Sequence, residues 1–116
     1  MSEIRKIKQL YFNAEDFFNN KHYDLALELY DEFLKFNPYN LKALYKKALI
    51  LSIKEEYSKS LDLLNQILDI NYCIEVLFLK GQIYFKLGEY IKAMNQYRLA
   101  NEVDYFNELN YYNSKW

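Results

Sequence analysis

The side chains that most often perform catalysis are scarce in this chain, and each stands alone. His22 is the only histidine and Cys73 the only cysteine among 116 residues. Nucleophilic catalysis requires a nucleophile next to a base and an orienting acid, and neither Ser nor Cys stands beside His22 and Asp24 for that role. One histidine and one cysteine cannot build a structural zinc site, and there is no glycine-rich phosphate loop. The sequence therefore predicts no enzyme, no metal and no cofactor.

The charge balance gives no reason to expect nucleic acid or a membrane as a partner. The 15 basic and 16 acidic residues leave a net charge of -1, and only Arg5 and Arg98 carry the guanidinium that suits phosphate. Aromatic residues make up 19% of the chain, but no basic stripe accompanies them for base stacking. The longest charge-free apolar run, 48–53, is too short to span a bilayer. With no signal-peptide pattern and an unpaired cysteine, we expect a soluble cytoplasmic protein.

Apolar residues recur at helical spacing along the whole chain. Near the N-terminus, Ile4, Ile7, Tyr11, Ala14 and Phe18 follow one another at steps of three or four residues. Strand-like alternation is absent, and the two glycines and one proline offer few breaks. We predict an all-α fold with helices near 3–19, 23–36, 41–53, 57–70, 74–87 and 90–103.

Three segments of the chain can be aligned with one another without a gap. They begin at Ala14, Ala48 and Gly81, which are 34 and 33 residues apart. Nine residues after each start comes a tyrosine, twelve after it a second small residue, and sixteen after it a large apolar residue. These residues are Tyr23, Ala26 and Tyr30 in the first copy, Tyr57, Ser60 and Leu64 in the second, and Tyr90, Ala93 and Tyr97 in the third.

This pattern resembles the tetratricopeptide repeat (TPR) family, whose units of about 34 residues are helix-turn-helix pairs. The resemblance covers residues 7 to 107. It implies an α-solenoid, a right-handed superhelix of three helix pairs, in a single domain of residues 1–116. The units are expected at about 7–40, 41–73 and 74–107, with a C-terminal capping helix at about 106–116.

The two glycines have different expected roles in the third unit. Paired helices pack with axes about 8–10 Å apart, so Gly81 is expected inside the first helix, where it meets Ala93. The other units are expected to pair their small residues in the same way. Gly88 is expected to end that first helix in a left-handed conformation. Lys21 and Glu55 stand at its place in the other units, so those turns should be strained or differently shaped.

The second helices of the first two units are expected to close in a similar way. Asn37 and Asn71 stand near their ends, and Asn tolerates the left-handed conformation. Pro38 then prevents continuation of the helix.

The resemblance also implies a binding surface, because the first helix of each TPR unit lines a concave groove. The apolar residues expected there, called here the first-helix belt, are Tyr11, Phe18, Tyr45, Leu49, Ile53, Phe78 and Phe85. The polar residues expected at the groove rim are Lys8, Lys42, Glu75, Gln82 and Lys86. A contiguous apolar surface of this size usually has a use. The alternative for any single ring is that it packs between neighbouring units.

Some TPR co-chaperones grip the acidic C-terminus of heat-shock chaperones with a clamp of Lys, Asn and Arg side chains. The corresponding places in this chain hold Tyr11, Glu15, Lys46, Glu75 and Leu79. All five depart from the clamp, and two are acidic and would repel a carboxylate. The resemblance therefore does not extend to the carboxylate-clamp function.

The C-terminal tail carries an apolar stripe, formed by Tyr105, Leu109, Tyr112 and Trp116. We expect a seventh helix here, from about Phe106 to Trp116, lying over the second helix of the third unit. The face to be covered should include Tyr97, Ala100 and Val103. Because the tail has few charges, we expect either self-association through this end or a longer protein of which this chain is a fragment.

Together these features favour a protein-interaction module, a scaffold or adaptor that binds a helical or extended apolar peptide in its groove. The alternative is a structural subunit, or the N-terminal fragment of a larger TPR protein, that uses its apolar surfaces for assembly. An RNA binder or an enzyme has the least support. The sequence does not identify the partner.

Overall fold

Six α-helices joined by short turns make up the chain in a computed structural model, which describes the backbone of residues 2–114 and the side chains of residues 2–104. They are α1 (Glu3–Asn19), α2 (Tyr23–Phe36), α3 (Leu41–Ile53), α4 (Tyr57–Ile70), α5 (Ile74–Lys86) and α6 (Tyr90–Ser114). The described residues include no strand, and none of their helices has the length and apolar content needed to cross a membrane. The predicted all-α fold of helix pairs is confirmed.

The segment after residue 103 continues α6 instead of forming a seventh helix. α6 extends without a break over 25 residues, because neither glycine nor proline follows Gly88 to end it. The predicted C-terminal extension is therefore helical, but it does not fold back over α6. The side chains from Tyr105 to Trp116, which form the predicted apolar stripe, lie outside the described residues.

Polar side chains fix the starts of two helices. Ser2 Oγ accepts a hydrogen bond from the Arg5 backbone N–H at 3.4 Å, and Asn40 Oδ1 accepts one from the Ala43 N–H at 3.0 Å. Both N–H groups belong to a first helical turn, where no carbonyl of the same helix can accept from them. Ser2 and Asn40 therefore define where α1 and α3 begin.

The ends of α2 and α4 differ from the prediction of left-handed asparagines. Asn37 has φ -131° and ψ 72°, and Asn71 is not among the described residues with positive φ. Pro38 explains the first case, because a proline ring pushes the preceding residue toward extended conformations. Asn37 instead closes α2 with its backbone N–H, which donates to the Phe33 carbonyl at 3.0 Å.

The turns inside the three helix pairs share one backbone conformation. Lys21, Glu55 and Gly88 have φ values of 63°, 64° and 77°. In each turn the next residue donates its N–H to the carbonyl five residues earlier, at 2.8, 2.8 and 2.9 Å. One of the two alternatives predicted for the Lys21 and Glu55 turns, a different shape, is therefore wrong. Both turns adopt the glycine geometry at a cost of about 1–2 kcal/mol for a residue with a Cβ.

The chain forms two compact units, Met1–Leu63 and Leu64–Trp116, which are called the first and the second unit from here on, while the three repeats are called helix pairs. In the first unit, α1 packs on α2 and α2 on α3. The buried core of this unit consists of Ala14, Ala26, Tyr30, Phe33, Ala43 and Ile50. Ser60 on α4 is fully buried and its hydroxyl donates to the Ala48 carbonyl at 2.7 Å. The predicted close approach of these two small residues is confirmed.

In the second unit, α5 packs on α6 around Gly81. A Cβ at this glycine would lie 2.5 Å from Cε1 and 2.8 Å from Cζ of Tyr97. Ala93, the predicted partner of Gly81, is 2% exposed, but the atoms nearest to the missing Cβ belong to the Tyr97 ring. The ring, and not the small residue, therefore requires a glycine here.

Substitution of Gly81 by alanine tests this contact. The added Cβ overlaps the Tyr97 ring, so we expect the free energy of unfolding to fall by about 1–3 kcal/mol, although alanine favours helix by about 1 kcal/mol. Urea unfolding followed by circular dichroism measures the change. The exposed neighbour Gln82→Ala is the control and should have little effect. In a Tyr97→Leu background, Gly81→Ala should cost less; an undiminished cost would contradict the assignment.

The three turns give a second test of stability. We expect Lys21→Gly and Glu55→Gly each to raise the free energy of unfolding by about 0.5–1 kcal/mol, because glycine adopts positive φ without steric cost. Gly88→Ala should lower it by about 1 kcal/mol. The control is Asn20→Gly, since Asn20 has φ -92° and gains nothing from glycine. A stabilisation by Asn20→Gly as large as that by Lys21→Gly would show that backbone strain is not the cause.

Candidate peptide-binding surface

The first-helix belt lies on three helices and keeps solvent exposure at every position. Five of its residues belong to the first unit, on α1 and α3, and two belong to α5 in the second unit. Within each helix the belt residues are separated by four, seven or eight positions, which places them on one helical face. None is buried, and Ile53, Phe78 and Phe85 are 46%, 43% and 59% exposed.

Two belt rings of α1 are partly engaged within the first unit. The Tyr11 ring lies 5.2 Å from that of Phe33, and the Phe18 ring lies 5.6 Å from that of Tyr23. The Lys46 ammonium is 4.0 Å from the centre of the Phe18 ring, a distance suited to a cation–π interaction. These contacts hold the two rings in place and leave only part of each surface for a ligand.

The two belt rings of α5 are more exposed and are supported from one side. Phe85 packs edge-on against Tyr90, with ring centres 5.2 Å apart. The ring of Phe78 lies 5.9 Å from that of Tyr97, the same ring that covers Gly81. Each phenylalanine is therefore oriented by a tyrosine of α6 and presents its remaining surface to solvent.

Glu15 is the centre of a polar cluster at the places that correspond to the carboxylate clamp. Its carboxylate accepts a hydrogen bond from the buried Tyr30 hydroxyl and lies 3.9 Å from the Lys46 ammonium. Burial, and then the hydrogen bond to Glu15, raises the pKa of Tyr30. Burial also raises the pKa of Tyr11, with the nearby charge of Glu15 as the second cause. The cluster keeps both phenols neutral and compensates the Glu15 charge within the first unit.

An open recess of about 350 Å³ lies in the first unit beside the belt residue Tyr11. Its lining consists of Lys8, Tyr11, Phe12, Phe33, Asn40 and Lys42. The structure thus brings two of the predicted rim lysines to one concavity, together with three aromatic rings. The other rim residues, Glu75, Gln82 and Lys86, are exposed on α5.

The two residues considered for catalysis each precede a helix. His22 is the exposed residue before α2, and its nearest ring neighbour is Phe17 at 6.2 Å. Cys73 precedes α5, and burial together with Glu75 raises the pKa of its thiol, which disfavours the thiolate. No group of three His, Cys, Asp or Glu side chains among the described residues could hold a metal ion.

Sequence reasoning missed an exposed apolar face on α6. Ile91 and Met94 are 77% and 69% exposed. In the repeat alignment they correspond to Asp24 and Leu27 of α2, and Asp24 pairs with Lys54, the residue that follows α3. The repeat register alone could have identified this face.

The prediction that the uncovered face of α6 includes Tyr97, Ala100 and Val103 is wrong. Ala100 is fully buried, and the Tyr97 ring covers Gly81. Val103 is half-buried. These residues lie on the side of α6 that packs within the unit, because α5 already occupies it.

Comparison with known proteins agrees with the geometry. A family model described as tetratricopeptide repeat matches residues 74–107. Comparison with curated proteins gave no match. Among solved structures, the chain is similar to a crystal structure of MamA, with a TM-score of 0.82 and 17% identity over 88% of this chain and 60% of that chain. It is also similar to the first TPR of Spaghetti (RPAP3) bound to the HSP90 peptide SRMEEVD, with a TM-score of 0.77 and 19% identity.

The extent of these matches differs. The chain spans 60% of the length of the MamA structure, whereas the RPAP3 match covers 96% of this chain and 93% of that one. At these identities the structural matches show the fold, and the family model identifies one repeat by its sequence. Residues 74–107 are thus a tetratricopeptide repeat, and the chain as a whole has the fold of a TPR domain.

Proposed function

We propose that the protein is an interaction module, a scaffold or adaptor, whose first-helix belt binds a helical or extended apolar peptide. The observation that carries this proposal is the exposure of the belt: Ile53, Phe78 and Phe85 each leave more than two fifths of their surface to solvent. Contiguous exposed apolar patches on a soluble protein usually mark an interaction site. Protein interfaces use such side chains as anchors.

The mode of binding that we propose differs from the carboxylate clamp. The RPAP3 domain was solved with an HSP90 peptide, and its similarity to this chain supports a peptide as the partner. In this chain, however, Glu15 at a clamp place is held by Tyr30 and Lys46. A terminal carboxylate at that place would face another carboxylate. We therefore propose apolar anchoring, and not clamping of a C-terminus, as the source of affinity.

Contacts with tyrosines of α6 make the α5 rings suitable anchors. A side chain that is already oriented loses little conformational entropy on binding, since about 0.5–1.5 kcal/mol is lost for each mobile side chain that becomes ordered. Tyr90 and Tyr97 orient Phe85 and Phe78 in this way. These rings therefore offer apolar surface at a low entropic cost.

The proposal predicts that three aromatic residues supply most of the affinity. Tyr45→Ala, Phe78→Ala and Phe85→Ala in one chain should abolish capture of a partner from a native lysate, because a buried aromatic anchor contributes about 2 kcal/mol or more. The readout is a pull-down quantified by mass spectrometry, with helicity checked by circular dichroism.

A matched control removes the same number of exposed rings elsewhere. Phe36, Tyr39 and Tyr72 are 52%, 77% and 58% exposed and lie outside the first helices. Their triple alanine variant should retain the partner. If the belt variant keeps its helicity and still captures the partner, the belt is not the binding surface.

A second function, assembly through α6, is supported by the exposed face of Ile91 and Met94. The equivalent face of α2 contacts α3 and the residue after it through two ion pairs: Asp24 pairs with Lys54, and Asp31 pairs with Lys47 of α3 at 2.7 Å. Arg98 of α6 stands at the place of Asp31 and already pairs with Glu102 at 2.9 Å, so a helix docked here would depend on apolar contact with Ile91 and Met94. We propose that the α6 face takes a helix from a second copy of this chain.

Sedimentation velocity tests self-association through α6. If a second copy supplies the helix, Ile91→Ser with Met94→Ser should convert a concentration-dependent dimer into a monomer, because the change removes the exposed apolar contact area. The control pair Phe36→Ser with Tyr39→Ser alters two other exposed apolar residues and should leave the dimer intact. A wild-type chain that stays monomeric at high concentration would exclude the second copy as the occupant.

A further inference from the structure

The recess of the first unit combines an apolar interior with a positive rim. Tyr11, Phe12 and Phe33 supply three rings, and the Tyr11 ring contacts both others, with centres 6.0 Å from Phe12 and 5.2 Å from Phe33. Phe33 is almost fully buried, whereas Phe12 is 57% exposed. The recess therefore has a fixed aromatic base and one ring that extends toward solvent.

The rim of the recess carries two lysines that lack counterions. Lys8 and Lys42 are exposed, and neither takes part in the ion pairs found among the described side chains. No carboxylate lines the recess. Glu15, on α1 beyond Tyr11 and Phe12, already interacts with Tyr30 and Lys46. The remaining polar residue, Asn40, uses its side-chain oxygen to cap α3.

We infer that this recess binds an acidic peptide segment that inserts one large apolar side chain between Lys8 and Lys42. The apolar side chain would occupy the aromatic base, and carboxylates on its neighbours would meet the two ammonium groups. This inference rests on the proposed function and specifies the chemistry of the partner at the first unit. It differs from the carboxylate clamp because neither lysine stands at a clamp place.

The size of the recess suits this occupant. Pockets for whole small ligands range from about 300 to 1,000 Å³, so a recess of about 350 Å³ is at the lower limit and accommodates a side chain with its adjoining backbone. Its open shape allows the flanking residues of a peptide to continue along the surface. A peptide thus explains both the small volume and the lack of enclosure.

Nucleic acid is a weaker explanation for the same two lysines. Phosphate recognition favours arginine, and no arginine lines the recess. The chain has a net charge of -1, and several other lysines are paired with acids within it. The surroundings of the recess therefore do not provide the continuous positive field that a phosphate backbone requires.

Fluorescence polarisation with defined peptides tests the inference on the full chain. The probe is a labelled peptide of sequence Gly-Glu-Asp-Phe-Asp-Glu-Gly, compared with one in which Ala replaces Phe and one in which Lys replaces each acid. We expect the first peptide to bind about tenfold more tightly than either of the others, and its affinity to fall as salt rises. Absence of this preference would overturn the inference.

Two variants locate the site. Lys8→Glu with Lys42→Glu should weaken binding of the acidic peptide about tenfold, because two attractions become repulsions. The control, Lys6→Glu with Lys59→Glu, makes the same change in net charge on exposed residues outside the recess and should have little effect. Phe12→Ala should weaken binding, whereas Phe36→Ala, which also removes an exposed ring, should not. Equal effects of the two charge-reversed pairs would assign the binding to net charge and overturn the site.

Two further results separate this inference from the proposed function. If Lys8→Glu with Lys42→Glu leaves capture of the lysate partner unchanged while the belt variant abolishes it, the recess inference fails and the belt function stands. If a single-stranded oligonucleotide displaces the peptide at equal charge concentration, the recess is a general anion site and the inference also fails. Loss of partner capture in the recess variant, but not in its charge-matched control, supports both proposals.

Discussion

The close crossing of paired helices at small residues is the constraint on which the rest of the structure depends. Ala14, Ala48 and Gly81 are buried in the first helices, and a bulkier residue at any of them would separate the pair and expose the core beneath. The size of residue that fits at the crossing differs between the helix pairs. An alanine suffices where Ser60 donates its hydroxyl to the Ala48 carbonyl. In the third helix pair, by contrast, the Tyr97 ring leaves room only for glycine. Because the crossing fixes how each first helix is rotated, it also fixes which of its residues face outward to form the belt.

The helices could be predicted from the sequence because three aligned copies each repeat the same local signals. The starts of all six helices and the ends of the first four follow the predicted bounds. Two of the wrong predictions are the end of α6, which depends on the absence of a helix-breaking residue, and the conformation of Asn37, which depends on the residue that follows it. α6 continues to Ser114 since nothing breaks it, and Asn37 is extended because a proline follows it. The turns at Lys21 and Glu55 show the opposite case, in which ordinary residues adopt the conformation of the turn although their own preferences disfavour it.

The candidate site could be predicted only in part, because the alignment gives positions on helices but not the contacts between them. It places the belt on exposed helical faces, yet it does not show that Phe12 and Phe33 join Tyr11 to form a recess. The alignment also does not predict which charged side chains form ion pairs. Lys47 pairs with Asp31 in the first unit, whereas the corresponding places in the second unit hold Lys80 and Asn65. Lys80 is buried, burial lowers its pKa, and no ion pair involves it among the described side chains. The repeat preserves the lysine without the acid, so one copy does not predict the electrostatics of the next.

The distribution of charge along α1 and α3 connects the fold to the choice of ligand. At the places of the carboxylate clamp, Glu15 lies 3.9 Å from Lys46 and accepts a hydrogen bond from the Tyr30 hydroxyl. The opposite charges of Glu15 and Lys46 therefore leave this part of the surface with little net charge. The uncompensated charge lies nearer the start of each helix, at Lys8, two turns before Glu15, and at Lys42, one turn before Lys46, and both lysines line the recess. A peptide carboxylate therefore gains no attraction at the clamp place, where Lys46 is already paired with Glu15, and is attracted near the start of the same helices. Since Tyr11 lies between these two regions on α1, it is the residue at which the apolar and the acidic parts of a ligand would meet.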